Sequence, residues 1–300
     1  VHLKEGLVKV SDRVEELKLA LSGNAAAFAD LPDDPVRVAA ESLVAASALG
    51  EIARRYRRHG YVILDIEGAV TEANHLRLAG ELRLGEPFVP PLYYAGGKTP
   101  APISTISATV NAQTQDADHP SFGASVGQAL HCDGTLQPAG FVKATLMSCR
   151  SPAAEGGDNG LFDAVTAFAR LFELDSEAAV SLTGPAVLLR KANINGCTDE
   201  NIGPAFAIDH GRVIGRYCET ETDSWCFPDE SSDHPMRRGV EFLRAIAQEG
   251  SSLYRVERLR ANQAIVFDNT RLSHSRTAYR DDARTKRCLY RTLHLEHPSA

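Results

Sequence analysis

The sequence predicts a mainly β fold with flanking helices, an antiparallel sandwich or barrel, and three observations carry that expectation. From about residue 140 onward, short β-branched segments bounded by turn residues recur: "GFVKATLMSCR", "AVLLRKANI", "FAIDHGRVIGRYC", "SLYRVERL", "NQAIVFD" and "RCLYRTLHLE". Only two helical stretches, "LFDAVTAFARLFEL" and "HPMRRGVEFLRAIAQEG", interrupt them, too few for the regular strand-helix alternation of a parallel sheet. No repeat, low-complexity tract or Pro/Ser-rich linker divides the chain, so a single domain over residues 1–300 is the economical reading.

Ahead of the strands the texture is helical. "PVRVAAESLVAASALGEIARRYRRHG" has helical periodicity with a proline at its start and a glycine at its end, "GYVILDI" reads as a strand, and "VTEANHLRLAGELRLG" as a further helix. Residues 1–60 are thus expected to form a helical extension packed on the β core. From residue 86, "EPFVPPLYYAGGKTPAPISTIS" is too rich in Pro, Gly, Tyr and Thr for a helix and predicts a long loop, of the kind that carries function inside a compact domain.

Composition removes several classes of function. A net charge of -7 opposes a nucleic acid polymer as partner, because phosphate backbones are held by clustered Lys and Arg. No apolar run approaches a membrane span, and "VHLKEGLVKVSDRVEELK" carries charges where an export signal needs an apolar stretch, which predicts a cytoplasmic protein. The six cysteines include no C-x-x-C pair, so a zinc knuckle or thioredoxin-like motif is not offered, and buried reduced thiols are expected. A small-molecule substrate is the expected partner, in a monomer or a homo-oligomer.

The chemistry centres on "ALHCDGTLQPAG". On a strand, residues two apart share a face, so His131 and Asp133 present an imidazole and a carboxylate side by side, with Cys132 turned away. Such a pair alone is more often a structural hydrogen-bonded couple. A second histidine in "NQAIVFDNTRLSHSR", His274, follows a strand and a turn and supplies a third donor. Two histidines and a carboxylate on one face of a metal leave the other positions open, as in non-haem Fe(II) oxygenases. A catalytic zinc is the chemical competitor, although H-E-x-x-H spacing is absent. Asn269 is expected to fix the turn that presents His274, while His119, His210 and His294 lack comparable partners.

In that order, "HCDGT", "EGGDNGLFDA", "FDNTRLSHSR" and "KRCLYRTLHL" resemble the taurine-dioxygenase-like Fe(II)/2-oxoglutarate-dependent oxygenases, with a clavaminate-synthase-like flavour, from about residue 60 to the C-terminus. The resemblance implies a double-stranded β-helix core, a cupin-like jelly-roll, with Fe(II) held by His131, Asp133 and His274. It implies 2-oxoglutarate as co-substrate and O2 as oxidant, with Arg287 on the far carboxylate of 2-oxoglutarate, a role that suits a permanently charged planar fork. Arg291, four positions on, shares that face if the run is a strand, and is either a co-substrate or substrate contact or an ion pair at the barrel edge. Asn159 stands where family members commonly have a threonine that helps hold 2-oxoglutarate; its amide can donate the same kind of bond, or simply serve an Asn-Gly turn. Family halogenases have a small residue at the position of Asp133, so the carboxylate implies hydroxylation, or a related desaturation or cyclisation, at an unactivated C–H with release of succinate and CO2.

Substrate recognition is read from "GRYCETETDSWCFPDE", where Glu219, Glu221 and Asp223 lie beside Trp225. Acids there suit an ammonium or guanidinium, and Arg276 with Arg291 suits a carboxylate, so a small amino-acid-like metabolite of specialised metabolism is expected. The alternatives are an anionic small molecule, a sulfonate, phosphonate or nucleotide, gripped by those arginines, or a non-oxidative metal enzyme using the same three ligands.

Overall fold

The computed structural model describes residues 10–22, 28, 31–32, 34–97, 101–108, 124–134, 136–192, 197–229 and 231–300, and its strands fall into five sheets. The largest has the order β1 (Val36–Ala39), β2 (Tyr61–Glu67), β14 (Gln263–Asp268), β5 (Ala144–Ser151), β17 (Cys288–His294), β3 (Ser104–Ile106). The second has the order β13 (Tyr254–Glu257), β7 (Asn159–Asp163), β15 (Leu272–Arg276), β4 (Gln128–His131). Three small sheets complete the set: β12 (Asp223–Trp225), β8 (Leu188–Lys191) and β9 (Glu200–Gly203); β10 (Phe206–Asp209) with β11 (Arg212–Gly215); and β6 (Glu155–Gly156) with β16 (Tyr279–Arg280). Six helices accompany them among the described residues: α1 (Val10–Leu21), α2 (Ala46–His59), α3 (Glu72–Glu81), α4 (Ala164–Leu174), α5 (Ser176–Ser181) and α6 (Pro235–Ile246).

This corrects the fold expected above. The large sheet ends on β1 and β3, the second on β13 and β4, and among the described residues no sheet closes into a barrel as a jelly-roll or double-stranded β-helix core does. The fold is mixed α/β, with two open sheets facing one another. Closure requires edge strands to pair with each other, and here the edges are short strands of three or four residues whose ladders stop. Nearly all pairing is antiparallel, the exception being β1 alongside β2.

That exception lies within the first sixty residues. In "PVRVA" the alternation buries Val36 and Val38 and leaves Arg37 exposed, the period-2 pattern of a strand, so the helix begins only at Ala46. Within α2, Ile52, Ala53, Tyr56 and His59 are buried at helical spacing, which seats the helix on the outer face of the large sheet. Tyr61, Ile106, Met147, Ile265 and Phe267 from the large sheet meet Leu161 and Leu272 from the second in one apolar cluster. A separate cluster joins α4 and α6 to the β10–β11 hairpin through Phe168, Phe206 and Leu243. The expected loop from residue 86 carries a 3-10 turn at Pro91–Gly97 and then β3.

Polar groups are also buried under α3. His75 Nδ1 lies 2.7 Å from Ser148 Oγ and its Nε2 lies 3.0 Å from Thr292 Oγ1, which in turn lies 2.7 Å from His294 Nε2. Burial, reinforced by His294, pushes His75 down to about 3, and burial pushes His294 down to about 4. Both histidines are neutral in the folded chain and titrate near 6.5 when unfolded, so between about pH 6.5 and pH 4 the unfolded state binds more protons. Stability is therefore fully present above the unfolded value and falls as pH drops through this window, by up to about 1.4 kcal/mol per pH unit for each histidine. Thermal midpoints measured from pH 8 to pH 4.5 are expected to decline below 6.5, and His75→Gln to flatten that decline. An equally steep decline in the variant would exclude His75 as a source.

Candidate metal centre

The second sheet brings the two histidines together. His274 on β15 is the direct ladder partner of His131 at the end of β4, and the register slips by one residue between His274 and Arg276. That irregularity places an extra residue in β4, and bulges of this kind re-aim side chains beside active sites. The two imidazole centroids are 4.0 Å apart, and Phe267 packs 4.7 Å from His274 on the other side. Asp133 lies two residues beyond the end of β4, outside the strand. One ligand atom from each of His131, Asp133 and His274 lies within 4.8 Å of the others, and all three residues are buried.

The large sheet supplies the braces. Thr145 on β5 donates to Asp133 Oδ2 at 2.7 Å, and Arg291 on β17 donates to Asp133 Oδ1 at 2.8 Å and to the Tyr93 hydroxyl at 3.0 Å. Burial alone would raise the Asp133 carboxyl, but Arg291 and His274 outweigh it and hold it well below the usual carboxylate range. Asn269 holds the same residue by its backbone: its Oδ1 accepts from Asp133 N–H at 2.7 Å and its Nδ2 donates to the Asp133 and Val142 carbonyls. Asn269 therefore fixes Asp133, and the turn before His274 is held by Asp268, which accepts from Thr270 N–H and Oγ1.

These residues fit a metal ion. His131 Nδ1 lies 2.9 Å from the Ala129 carbonyl, which assigns the proton to Nδ1 and leaves the Nε2 lone pair as an acceptor, met here by the Gln128 side-chain amide at 3.1 Å. Burial and the neighbouring His274 push His131 down to about 3, so it is neutral and ready to ligate. His274 Nε2 is buried 3.4 Å from Asp133 Oδ2 and makes no hydrogen bond. An orphaned imidazole nitrogen facing a carboxylate, with a second imine nitrogen alongside, is the donor set of a two-histidine, one-carboxylate centre.

Beside the triad is a narrow cavity lined by His274, Asn159, Arg276, Arg287 and Arg291, among others, with no carboxylate among its described lining residues. Arg287 is buried, its Nη1 has no hydrogen-bond partner, and its guanidinium carbon lies 5.0 Å from the centre of the Tyr279 ring. Gly157 makes room for it, since a Cβ there would stand 3.0 Å from Arg287 Nε and the backbone has a φ of +75°. Burial lowers Arg287, and burial together with the charge of Arg287 brings Arg276 down to about 10. Arg276 Nη2 also donates to the carbonyls of Ala124 and Val126, ahead of β4. Asn159 lines the cavity and donates one of its two amide N–H groups to the Glu257 carbonyl at 3.2 Å.

The acidic segment lies elsewhere. Glu219 receives Arg244 at 2.9 Å on both oxygens and Trp225 Nε1 at 3.1 Å, Asp223 pairs with Arg190 and Thr220, and Glu221 is exposed. None of the four residues 219, 221, 223 and 225 lines the cavity. Cys132 turns away from the triad and packs with Cys218 and Leu188, His210 is exposed, His294 is buried as described, and His119 falls outside the described residues. No helix among the described residues is long and apolar enough to cross a membrane.

Residues 31–293 match the taurine catabolism dioxygenase TauD, TfdA family. The chain belongs to that family. It is an enzyme of the Fe(II)/2-oxoglutarate-dependent oxygenase class, with a His-Asp-His triad compatible with Fe(II). Among characterised relatives, the oxygenase is 37% identical over 275 residues to a uridine-5'-phosphate dioxygenase of Amycolatopsis sp, covering 89% of this chain and 96% of that one. A uridine-5'-phosphate dioxygenase of Streptomyces sp is 34% identical over 238 residues, covering 77% and 83%. Among solved structures, asparagine oxygenase in complex with Fe(II), 2S,3S-3-hydroxyasparagine and succinate shares the fold at a TM-score of 0.57 and 15% identity, covering 95% of this chain and 91% of that one.

Proposed function

We propose that the oxygenase couples decarboxylation of 2-oxoglutarate to hydroxylation of uridine 5'-phosphate or a closely related nucleotide. The observation that carries the reading is the charge of the cavity beside the triad, three arginines and no carboxylate among its described lining residues. The space is about 20 Å³, so the arginines mark where one anionic group would be met rather than a site that holds a whole nucleotide and co-substrate, and a phosphate or carboxylate suits them where an ammonium or guanidinium does not. The two relatives with uridine-5'-phosphate in their names support the same substrate class, at 37% and 34% identity. The amino-acid-like substrate loses its support where Glu219 and Asp223 are already taken by Arg244 and Arg190.

Iron at the triad supplies the oxidising chemistry, using O2 and the electrons released when 2-oxoglutarate is decarboxylated to succinate. The chain's own residues do the rest. Arg287 grips the far carboxylate of 2-oxoglutarate, and Thr145 and Arg291 keep Asp133 ionised and oriented. Phe267, Met147 and Ile106 make the surroundings apolar and exclude water. A panel of uridine 5'-phosphate, uridine, asparagine, arginine and taurine, read as succinate formed per O2 consumed, tests the reading. Tight coupling with uridine 5'-phosphate and little with the others is expected. Coupling confined to the amino acids would overturn it.

A further inference from the structure

Among the described residues the metal-binding loop leaves an edge strand of the second sheet, met there by the Glu219 N–H, which donates to the Leu130 carbonyl at 2.8 Å. β4 is the last strand of the second sheet and ends at His131, so the peptide groups of residues 132–134, which aim the Asp133 carboxylate, have no ladder to hold them. Their carbonyls are met chiefly by side chains, although the Gly134 carbonyl also takes the Gln137 backbone N–H at 3.2 Å. Asn269 takes the Asp133 carbonyl, as described. The Cys132 carbonyl accepts from Arg190 Nη2 at 2.8 Å, and the Gly134 carbonyl lies 3.4 Å from Arg190 Nη1 and 3.5 Å from Arg216 Nη2. Arg216 Nη2 also donates to the Gln137 carbonyl. At Gly134 the chain takes a φ of +82°, and a Cβ would stand 2.8 Å from Val142 Cγ2, so the loop turns where only glycine fits.

Arg190 is itself fixed. Its Nε lies 3.2 Å from Asp223 Oδ1, both side chains are only 2% exposed, and the two residues are ladder partners on β8 and β12. Asp223 Oδ2 accepts from the Thr220 backbone N–H and hydroxyl at 3.2 and 2.5 Å. The ion pair therefore compensates the buried guanidinium and leaves its two terminal nitrogens free to span two carbonyls on either side of a metal ligand.

We propose that Arg190, oriented by Asp223, is a positioning residue of the metal centre: it holds the Cys132 and Gly134 carbonyls so that Asp133 faces His131 and His274. Nothing but a planar fork can make all three contacts, since a lysine ammonium is a point charge that cannot reach Asp223 and both carbonyls together. Partners one step behind a metal ligand typically govern affinity by about 10- to 100-fold.

The inference rests on the triad being a metal site, and the test separates the two. Metal-free protein is titrated with Co(II), following the visible d–d bands of the ion as well as its affinity. Arg190→Lys is expected to weaken Co(II) binding by about 10- to 100-fold and to alter the bands, with thermal unfolding still one transition. Asp223→Asn keeps the shape and drops the charge that orients Nε, and is expected to move both readouts in the same direction by less. Wild-type affinity and bands in folded Arg190→Lys protein overturn the proposal. If that variant does not fold, Asp223→Asn decides: an unchanged affinity and spectrum overturn it, a weakened affinity with altered bands supports it. Failure of the wild-type protein to bind Co(II) overturns the metal centre itself, a different result from equal binding by wild type and variant.

Discussion

His131→Ala protein is expected to bind no Fe(II) and to release no succinate from 2-oxoglutarate, while unfolding at close to the wild-type temperature. The imidazole is neutral, pushed down to about 3 by burial and His274, so no ion pair is lost with it. What disappears is one of three donors, and two donors do not retain iron against solvent. Asp133→Ala removes a donor as well, but with a second effect that separates the two variants. Arg291 is 6% exposed and makes its ion pair with Asp133 at 2.8 Å, so the truncation leaves a buried cation facing an empty space. Breaking one half of a buried pair costs about 3–5 kcal/mol, which predicts a large drop in thermal midpoint for Asp133→Ala and none of that size for His131→Ala. Iron content, single-turnover succinate release and calorimetry on the two proteins check the contrast. Full turnover in His131→Ala would end the assignment of the triad.

Arg287→Met protein is expected to lose affinity for 2-oxoglutarate by roughly 10- to 150-fold, the equivalent of about 1.5–3 kcal/mol for a charge-assisted bond, and to gain thermal stability or keep it. The first half follows from the proposed role of Arg287 as the fork on the far carboxylate of 2-oxoglutarate. The second follows from the state of Arg287 without ligand: a buried guanidinium whose Nη1 has no partner and whose charge is disfavoured by burial. Methionine fills similar volume against Tyr279 and Gly157 without the desolvated charge. A cation held in an unfavourable place until its ligand arrives is a stability cost retained for function. Titration of 2-oxoglutarate into the iron-loaded variant, with a melting curve of the free protein, reads both effects. Unchanged affinity would place the anchor on another residue, and a lower midpoint would show that Arg287 stabilises the empty fold.

The triad was legible because its signals are local. His-x-Asp lies within three residues, and His274 follows a turn written into "FDNTRLSH". The residues that hold the triad were not. Thr145, Tyr93 and Arg190 are ordinary in their own neighbourhoods, and Asn269, read in the sequence as fixing the turn before His274, instead holds Asp133 from 136 positions away. Arg190 leaves no trace in the pattern at all, because it binds backbone carbonyls, which every residue has. The acids at 219–225 misled for the complementary reason: a carboxylate in a sequence does not reveal which arginine neutralises it, and Arg244 and Arg190 reach Glu219 and Asp223 from α6 and β8. At the level of the fold, short β-branched segments marked the longer strands, but not short ones such as β4, β7 and β15 that build the site, and closure was not legible either. Whether a sheet closes depends on which edges meet, and β3 and β4, the strands that would have to extend the ladders, are three and four residues long.

The way Asp133 is braced distinguishes its two oxygens. Oδ1 is turned toward Arg291, while Oδ2, which also accepts from Thr145, is the oxygen 3.4 Å from His274 Nε2. A carboxylate with one oxygen committed to a buried guanidinium offers an ion the other oxygen alone. Chelation by both oxygens would require breaking the charge-assisted bond to Arg291. His131, Asp133 and His274 would thus each offer one donor atom to an ion, which would leave its remaining positions to the co-substrate and the oxidant.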